Sequence, residues 1–182
     1  MHNFLIQKLD KISTIASGSK FSRLINNPFN YLIAIGYQEI IYPIIHRPLN
    51  KSVKLFWGDQ MTVALPSGVD MYILGAKADN SEIRLAKYLI NNLKNGSCFI
   101  DVGAHFGYYS KLAAHLVGRS GFVISLEPSS LAFELLKENT SQSSNIAIYN
   151  SLIGSSSAEI LFYEFPTKYA EYNSIDILQY KN

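Results

Sequence analysis

The hydrophobic period of this chain changes several times, and each change predicts an element. Over residues 1–50 the apolar residues cluster as in helices and are broken at Pro28, Pro43 and Pro48, which predicts an N-terminal helical extension. Residues 53–66, VKLFWGDQMTVALP, hold two alternating runs around Gly58–Asp59, the pattern of a β-hairpin, and MYILG at 71–75 reads as its extension. In NSEIRLAKYLINNLKNG the period lengthens. Ile83, Ala86, Leu89 or Ile90, and Leu93 recur at helical spacing, with Ser81 to cap the start and Gly96 to end the helix. CFIDV, GFVISLE and NIAIYN then read as strands, separated by the helices YYSKLAAHLVG, ending near Gly118, and SLAFELLKEN; EILFYEF at 159–165 reads as a fourth strand. The order α-β-α-β-α-β across residues 80–150 predicts a parallel sheet with helices on its faces and right-handed crossovers. The fold class is α/β, Rossmann-like, over residues 51–182.

Composition narrows the class. A chain of 182 residues that is 48% hydrophobic and 16% charged is no disordered tail and can bury a core. Its one cysteine, Cys98, excludes an internal disulfide framework and a cysteine-based zinc cluster, and no His pair has metal-ligand spacing. A formal charge of +2 gives no argument for a nucleic-acid partner. That charge is unevenly placed. Residues 1–58 carry seven Lys/Arg against Asp10 and Glu39, a surplus of five; residues 59–182 carry nine against twelve acids. The basic, apolar arm has two readings: a helical extension packed on the domain, or an attachment to an anionic membrane surface. LINNPFNYLIAIGYQEIIYPII at 24–45 is interrupted by Pro28, Glu39, Pro43 and three Asn, and its uncharged core falls short of the roughly 18–20 apolar residues of a spanning helix. The first ten residues lack a continuous apolar run, so a secretory signal is not read and the expected location is cytoplasmic.

The chemistry concentrates in FIDVGAHFGYYS, residues 99–110. Ligands of parallel α/β sheets bind outside the carboxyl ends of the strands, where the chain turns into the next helix. Gly103 and Gly107 fall in that turn, and a glycine there accepts a positive φ and lets a ligand approach the backbone. Dinucleotide sites space their glycines G-x-G-x-x-G and place backbone amides against a pyrophosphate. This chain has D-x-G-x-x-x-G instead, and Asp101 would repel a pyrophosphate while suiting an ammonium group. S-adenosylmethionine carries an ammonium and a sulfonium. Glu127 follows Asp101 by 26 residues at the end of the next strand, where a carboxylate can accept both hydroxyls of a ribose. Glu127 alone therefore indicates an adenosine ribose; the Asp101–Gly103–Gly107 arrangement chooses the cofactor. A nicotinamide-dependent oxidoreductase shares only that ribose acid. Asn150 and Ser151, after the third strand, are placed to read an adenine edge or simply to end a strand.

At these residues the chain resembles the FkbM family of class I S-adenosylmethionine-dependent methyltransferases. LFWGDQMTVALPSG, SEIRLAKYLINNLKNG, FIDVGAHFGYYSKLAA, GFVISLEPSSLAFELLKEN, and NIAIYNSLIG followed by ILFY stand in the family's order over about residues 52–175, most specifically over 97–139. The resemblance implies that Asp101, Gly103, Ala104 and Gly107 form the loop around the methionine part of the cofactor, that Glu127 binds the ribose, and that Asn150 and Ser151 lie near the adenine. It further implies that Glu82 borders the cofactor and that Asn173 and Ser174 lie toward the acceptor. His105 stands where the family more often shows Asn. Family members continue to a strand with a D-x-E-G-like motif and complete a seven-stranded sheet. Nothing before Asn182 matches that motif, so the resemblance implies a fragment or truncated product with an incomplete sheet. The implied reaction is O-methyl transfer to a hydroxyl of a sugar or secondary metabolite, with His105 and Tyr109 as candidate bases beside the glycine turn. The other reading is a non-catalytic module that binds the cofactor or a partner.

Overall fold

A computed structural model describes residues 2–156, 159–165 and 173–175. The arm is helical, as its pattern predicts: α1 (His2–Ser17), α2 (Lys20–Asn26), α3 (Pro28–Gly36), a π-helical turn (Tyr37–Ile41) and α4 (Tyr42–Ile45). Asn27 caps α3 through its side chain, which accepts the Asn30 N–H at 3.3 Å, and Pro28 takes the first turn, where its missing N–H costs no hydrogen bond. Pro43 does not break the helix. The Tyr42 N–H reaches the Tyr37 carbonyl, five residues back, and this widened turn precedes the proline so that the helix runs on to Ile45.

The hairpin pairs β1 (Leu49–Lys54) with β2 (Gln60–Leu65), Leu49 opposite Leu65 and Lys54 opposite Gln60. It therefore begins directly after Pro48, earlier than its sequence alternation indicated. MYILG is not part of it. Residues Val69–Leu74 form helix α5, with Gly75 (φ +72°) as its left-handed end. Met71, Tyr72, Ile73 and Leu74 are all buried, so this apolar run carries no period by which sequence could tell strand from helix. Helix α6 (Asn80–Asn92) buries Ile83, Ala86, Leu89 and Ile90 as read, but Asp79 rather than Ser81 is its N-cap. It ends with Leu93 in an extended conformation, and Gly96 belongs to the turn beyond.

The alternating segment folds as β3 (Cys98–Val102), α7 (Tyr108–Val117), β4 (Phe122–Leu126), α8 (Ser130–Thr140) and β5 (Ile146–Tyr149). The three strands are parallel in the order β3-β4-β5, with Asp101 opposite Ser125 and Ser125 opposite Ile148. This is the α/β, Rossmann-like arrangement expected. On one face α7 packs Ala113 and Val117 onto Val123, Phe99 and Ile146. On the other, Ile100, Val102 and Tyr149 are more than half exposed. EILFYEF is not a fourth strand: residues 159–165 make one isolated bridge, Tyr163 with Ser174. Among the described residues, no helix is long and apolar enough to cross a membrane.

Side chains dock the arm and hairpin on this body. Leu5, Leu9 and Ile12 of α1 join the main core, and Asp10 pairs with Lys87 of α6 at 2.5 Å. Arg23 meets Asp70 at 3.2 Å, and Asn30 donates to the Tyr72 carbonyl at 2.8 Å. Asn139 of α8, nearly buried, accepts the Thr62 N–H at 2.7 Å and donates to the carbonyls of Thr62 and Phe106 at 2.8 and 2.9 Å. One amide thus joins the hairpin, α8 and the glycine loop.

Candidate functional site

The strand tips carry the two acids. Asp101 lies in β3 on the face covered by α7, 7% exposed. The Ser110 hydroxyl of α7 donates to its Oδ2 at 2.5 Å, and the Ser125 hydroxyl of β4 donates to Ser110 at 2.8 Å. Burial holds the Asp101 carboxyl above its ordinary pKa, against the Ser110 hydrogen bond and the charge of Lys77. Glu127 follows β4 by one residue and is 6% exposed. Its Oε2 accepts the His105 N–H at 2.7 Å and its Oε1 the Ser129 N–H at 2.8 Å. Burial raises its pKa as well, while the two backbone hydrogen bonds oppose the shift and the negative charges of Asp101 and Glu164 add to it. Asp101 is paired with Ser125, two residues before Glu127, so both acids belong to one face of the sheet. An ionised carboxylate offers about four acceptor positions, and Glu127 spends two on backbone. Capacity for two hydroxyls remains.

Between the tips runs the loop 103–107. The N–H groups of Gly103 and Ala104 both donate to the Leu126 carbonyl, at 2.9 and 3.0 Å, tying the loop to β4. Its two glycines do different work. Gly103 has φ +78°, and a Cβ built there meets nothing within 4 Å. The space beside it is open. Gly107 has φ +89°, and a Cβ there falls 2.7 Å from Leu136 Cδ1, so this glycine serves the close packing of α7 on α8. Ala104 is buried.

The two candidate bases are poorly equipped. His105 adopts φ +51°, stacks on Phe106 at 3.7 Å between ring centroids, and has its pKa lowered to about 4, first by burial and then by Lys77. An imidazole with so weak a hold on its proton is a weak base at neutral pH. The Tyr109 hydroxyl donates to the Glu82 carboxylate and to the Glu82 carbonyl at 3.0 Å. Burial and that carboxylate push its pKa up. Lys77 completes this cluster, 3.4 Å from Glu82 Oε1 and 5.3 Å from the Tyr109 ring centre.

Asn150 and Ser151 follow β5. The Asn150 amide donates to the carbonyls of Glu127 and Pro128 at 2.8 and 3.2 Å and so staples the tips of β4 and β5; Ser151 is exposed. Asn173 accepts the Phe165 N–H at 2.7 Å, and Ser174 makes the bridge to Tyr163. A cavity of about 670 Å³ lies between the hairpin and α8, lined by His105, Phe106 and Ser129, by both apolar (Leu131, Leu135) and charged (Glu134, Lys137) side chains of α8, and by Phe165. Asp101, Gly103 and Glu127 are not among its lining residues.

The structure thus brings together Asp101, Gly103, Ala104, His105 and Glu127, and sets Glu82 with Tyr109 in the neighbouring Lys77 cluster. Sequence reading missed Lys77, Ser110 and Ser125. Ser110 lies nine residues after Asp101, in the third position of α7, the one signal that it faces back to the strand tip. Lys77 sits in a loop with no periodicity to read.

No family model matches the chain, and no curated protein does either. Solved structures similar to it include a candidate rRNA methylase from Clostridium thermocellum, with a TM-score of 0.39 and 18% identity, covering 42% of each chain. A protein-L-isoaspartate O-methyltransferase has a TM-score of 0.39 and 16% identity, over 84% of this chain and 42% of its own. A candidate enzyme of the same description from Plasmodium falciparum, in complex with S-adenosyl-L-homocysteine, has a TM-score of 0.35 and 22% identity, over 82% of this chain and 62% of its own. The chain therefore spans less than two thirds of the length of each of these structures.

Proposed function

We propose that the chain is an S-adenosylmethionine-dependent methyltransferase that methylates a hydroxyl of a sugar or secondary metabolite. One observation supports this above others: two buried carboxylates at the tips of adjacent parallel strands, Asp101 and Glu127, flank a loop whose Gly103 leaves open space. The donor set fits the cofactor. Glu127 has acceptor capacity for the two ribose hydroxyls, and Asp101, already held against its desolvation cost, gains most from a nearby ammonium. Bound there, S-adenosylmethionine supplies an electrophilic methyl group. The chain's own residues then have to hold the nucleoside and exclude water, since alignment of the acceptor oxygen carries most of the acceleration. Titration of the chain with S-adenosylmethionine tests the reading: saturable binding is expected, and heats no larger than dilution would remove it.

A second reading, a module that binds the cofactor without turnover, is favoured by the two candidate bases. His105 is a weak base, and the Tyr109 hydroxyl is committed to Glu82. Release of S-adenosylhomocysteine by the chain, with a panel of sugar hydroxyl acceptors, separates the readings: turnover removes the module.

A further inference from the structure

The N-terminal arm carries a surface unrelated to the strand tips. From Pro28 to Ile45 the backbone is helical without interruption, about 27 Å at 1.5 Å per residue. It buries Ala34, Tyr37 and Tyr42 against the body. Its other side is equally apolar. Phe29 is 79% exposed, Leu32 63%, Ile40 67% and Ile44 76%, and α2 adds Phe21 and Ile25 at 65% each. A helix that is apolar all round belongs in a core or against a membrane, and this one is covered on one side only. A patch of this kind on a lone soluble chain calls for a partner.

Charge selects that partner. Lys20 immediately precedes the patch in sequence and Arg47 follows it two residues on; Lys11, Lys51 and Lys54 stand on α1 and β1. None of these five cations enters an ion pair among the described residues, whereas Lys87 neutralises Asp10. The arm's exposed acids are Asp10, paired with Lys87, and Glu39, which accepts from Gln38 at 2.9 Å. An exposed apolar stripe flanked in sequence by the unpaired cations Lys20 and Arg47 is complementary to a bilayer surface bearing anionic headgroups, where Phe and Ile side chains enter the acyl boundary and Lys and Arg meet the phosphates.

We infer that the arm is an interfacial anchor that lays the Phe29–Ile45 stripe on an anionic membrane without crossing it. This assignment is independent of the cofactor reading. It is tested by floating the full chain with vesicles of phosphatidylcholine containing about one third phosphatidylserine, and with phosphatidylcholine alone. The chain should float with the anionic vesicles and at least about tenfold less with the neutral ones, and added salt should release it. Lys20→Glu with Arg47→Glu should lower partitioning by roughly tenfold or more. Phe29→Ser with Ile44→Ser should do the same while leaving circular dichroism and cofactor titration unchanged, since neither side chain enters the core. Flotation indifferent to both pairs of substitutions would overturn the inference. So would a chain that ignores anionic vesicles and sediments as a dimer dissolved by Phe29→Ser with Ile44→Ser, for the stripe would then be a contact between copies.

Discussion

The tips of β3 and β4 present the same chemical group held in two ways. Asp101 is held mainly by side chains, the Ser110 hydroxyl on its oxygen and the Lys77 charge nearby, with the Ser110 backbone as a smaller contribution. Glu127 is held by backbone, with the N–H groups of His105 and Ser129 on its two oxygens. Backbone donors are fixed by the path of the chain, so Glu127 is positioned by the fold itself. Side-chain donors can be lost one at a time, so the charge state of Asp101 is adjustable. In the proposed reading the rigid acid would meet the ribose hydroxyls and the adjustable one the ammonium.

The largest expected effect lies between the tips. Gly103→Val fills the open space and should reduce S-adenosylmethionine affinity by about 100-fold or more, with roughly 1–2 kcal/mol of stability lost to the positive φ. Calorimetry and thermal unfolding measure the two separately. A valine variant that binds normally would show that the loop and the acids do not share a ligand.

Asp101→Asn sharpens the comparison at β3. The folded-state pKa of Asp101 is raised, so its ionised form costs stability that appears as pH rises through and above the ordinary carboxylate value of 3.8. The Asn variant should therefore be more stable than the parent at neutral pH, with the gain vanishing in acid, while binding the cofactor about tenfold more weakly. Denaturant titrations from pH 3 to 8 check the sign. A variant less stable at pH 7 would show that Asp101 is a structural acid.

The smallest effect concerns His105, whose N–H serves Glu127 whatever its side chain. Its folded-state pKa of about 4 lies below the ordinary 6.5, so protonation strains the native state as pH falls from 6.5 toward 4. His105→Asn, which tolerates the left-handed backbone, should remove up to ~3 kcal/mol of acid destabilisation across that window and leave neutral-pH affinity within about twofold. Equal acid profiles for both proteins would show that the imidazole is solvated.

Legibility in the sequence followed the same division. The βαβαβ order, both acids and the loop glycines were readable, because strands closed by Asp-x-Gly or by Glu-Pro and helices of regular spacing leave local signals. Val69–Leu74 was misread because an apolar run buried on every side has no period. EILFYEF is branched and aromatic enough for a strand, but composition does not supply a neighbour, and its described residues make one bridge in place of a ladder. Pro43 was read as a break, and the π turn before it absorbs the missing hydrogen bond. In the site, spacing did not reveal that Gly107 packs against Leu136 or that Asn150 ties two strand tips together. Such roles depend on what lies across the fold, which spacing along the chain does not encode.

The most direct measurement is calorimetric titration of Glu127→Ala with S-adenosylmethionine beside the parent chain. Loss of the charge-assisted hydrogen bonds to the ribose should weaken binding by about 1–3 kcal/mol, a factor of roughly 5 to 150. The same dissociation constant for both proteins, with the variant folded, would contradict a nucleoside held at the tip of β4.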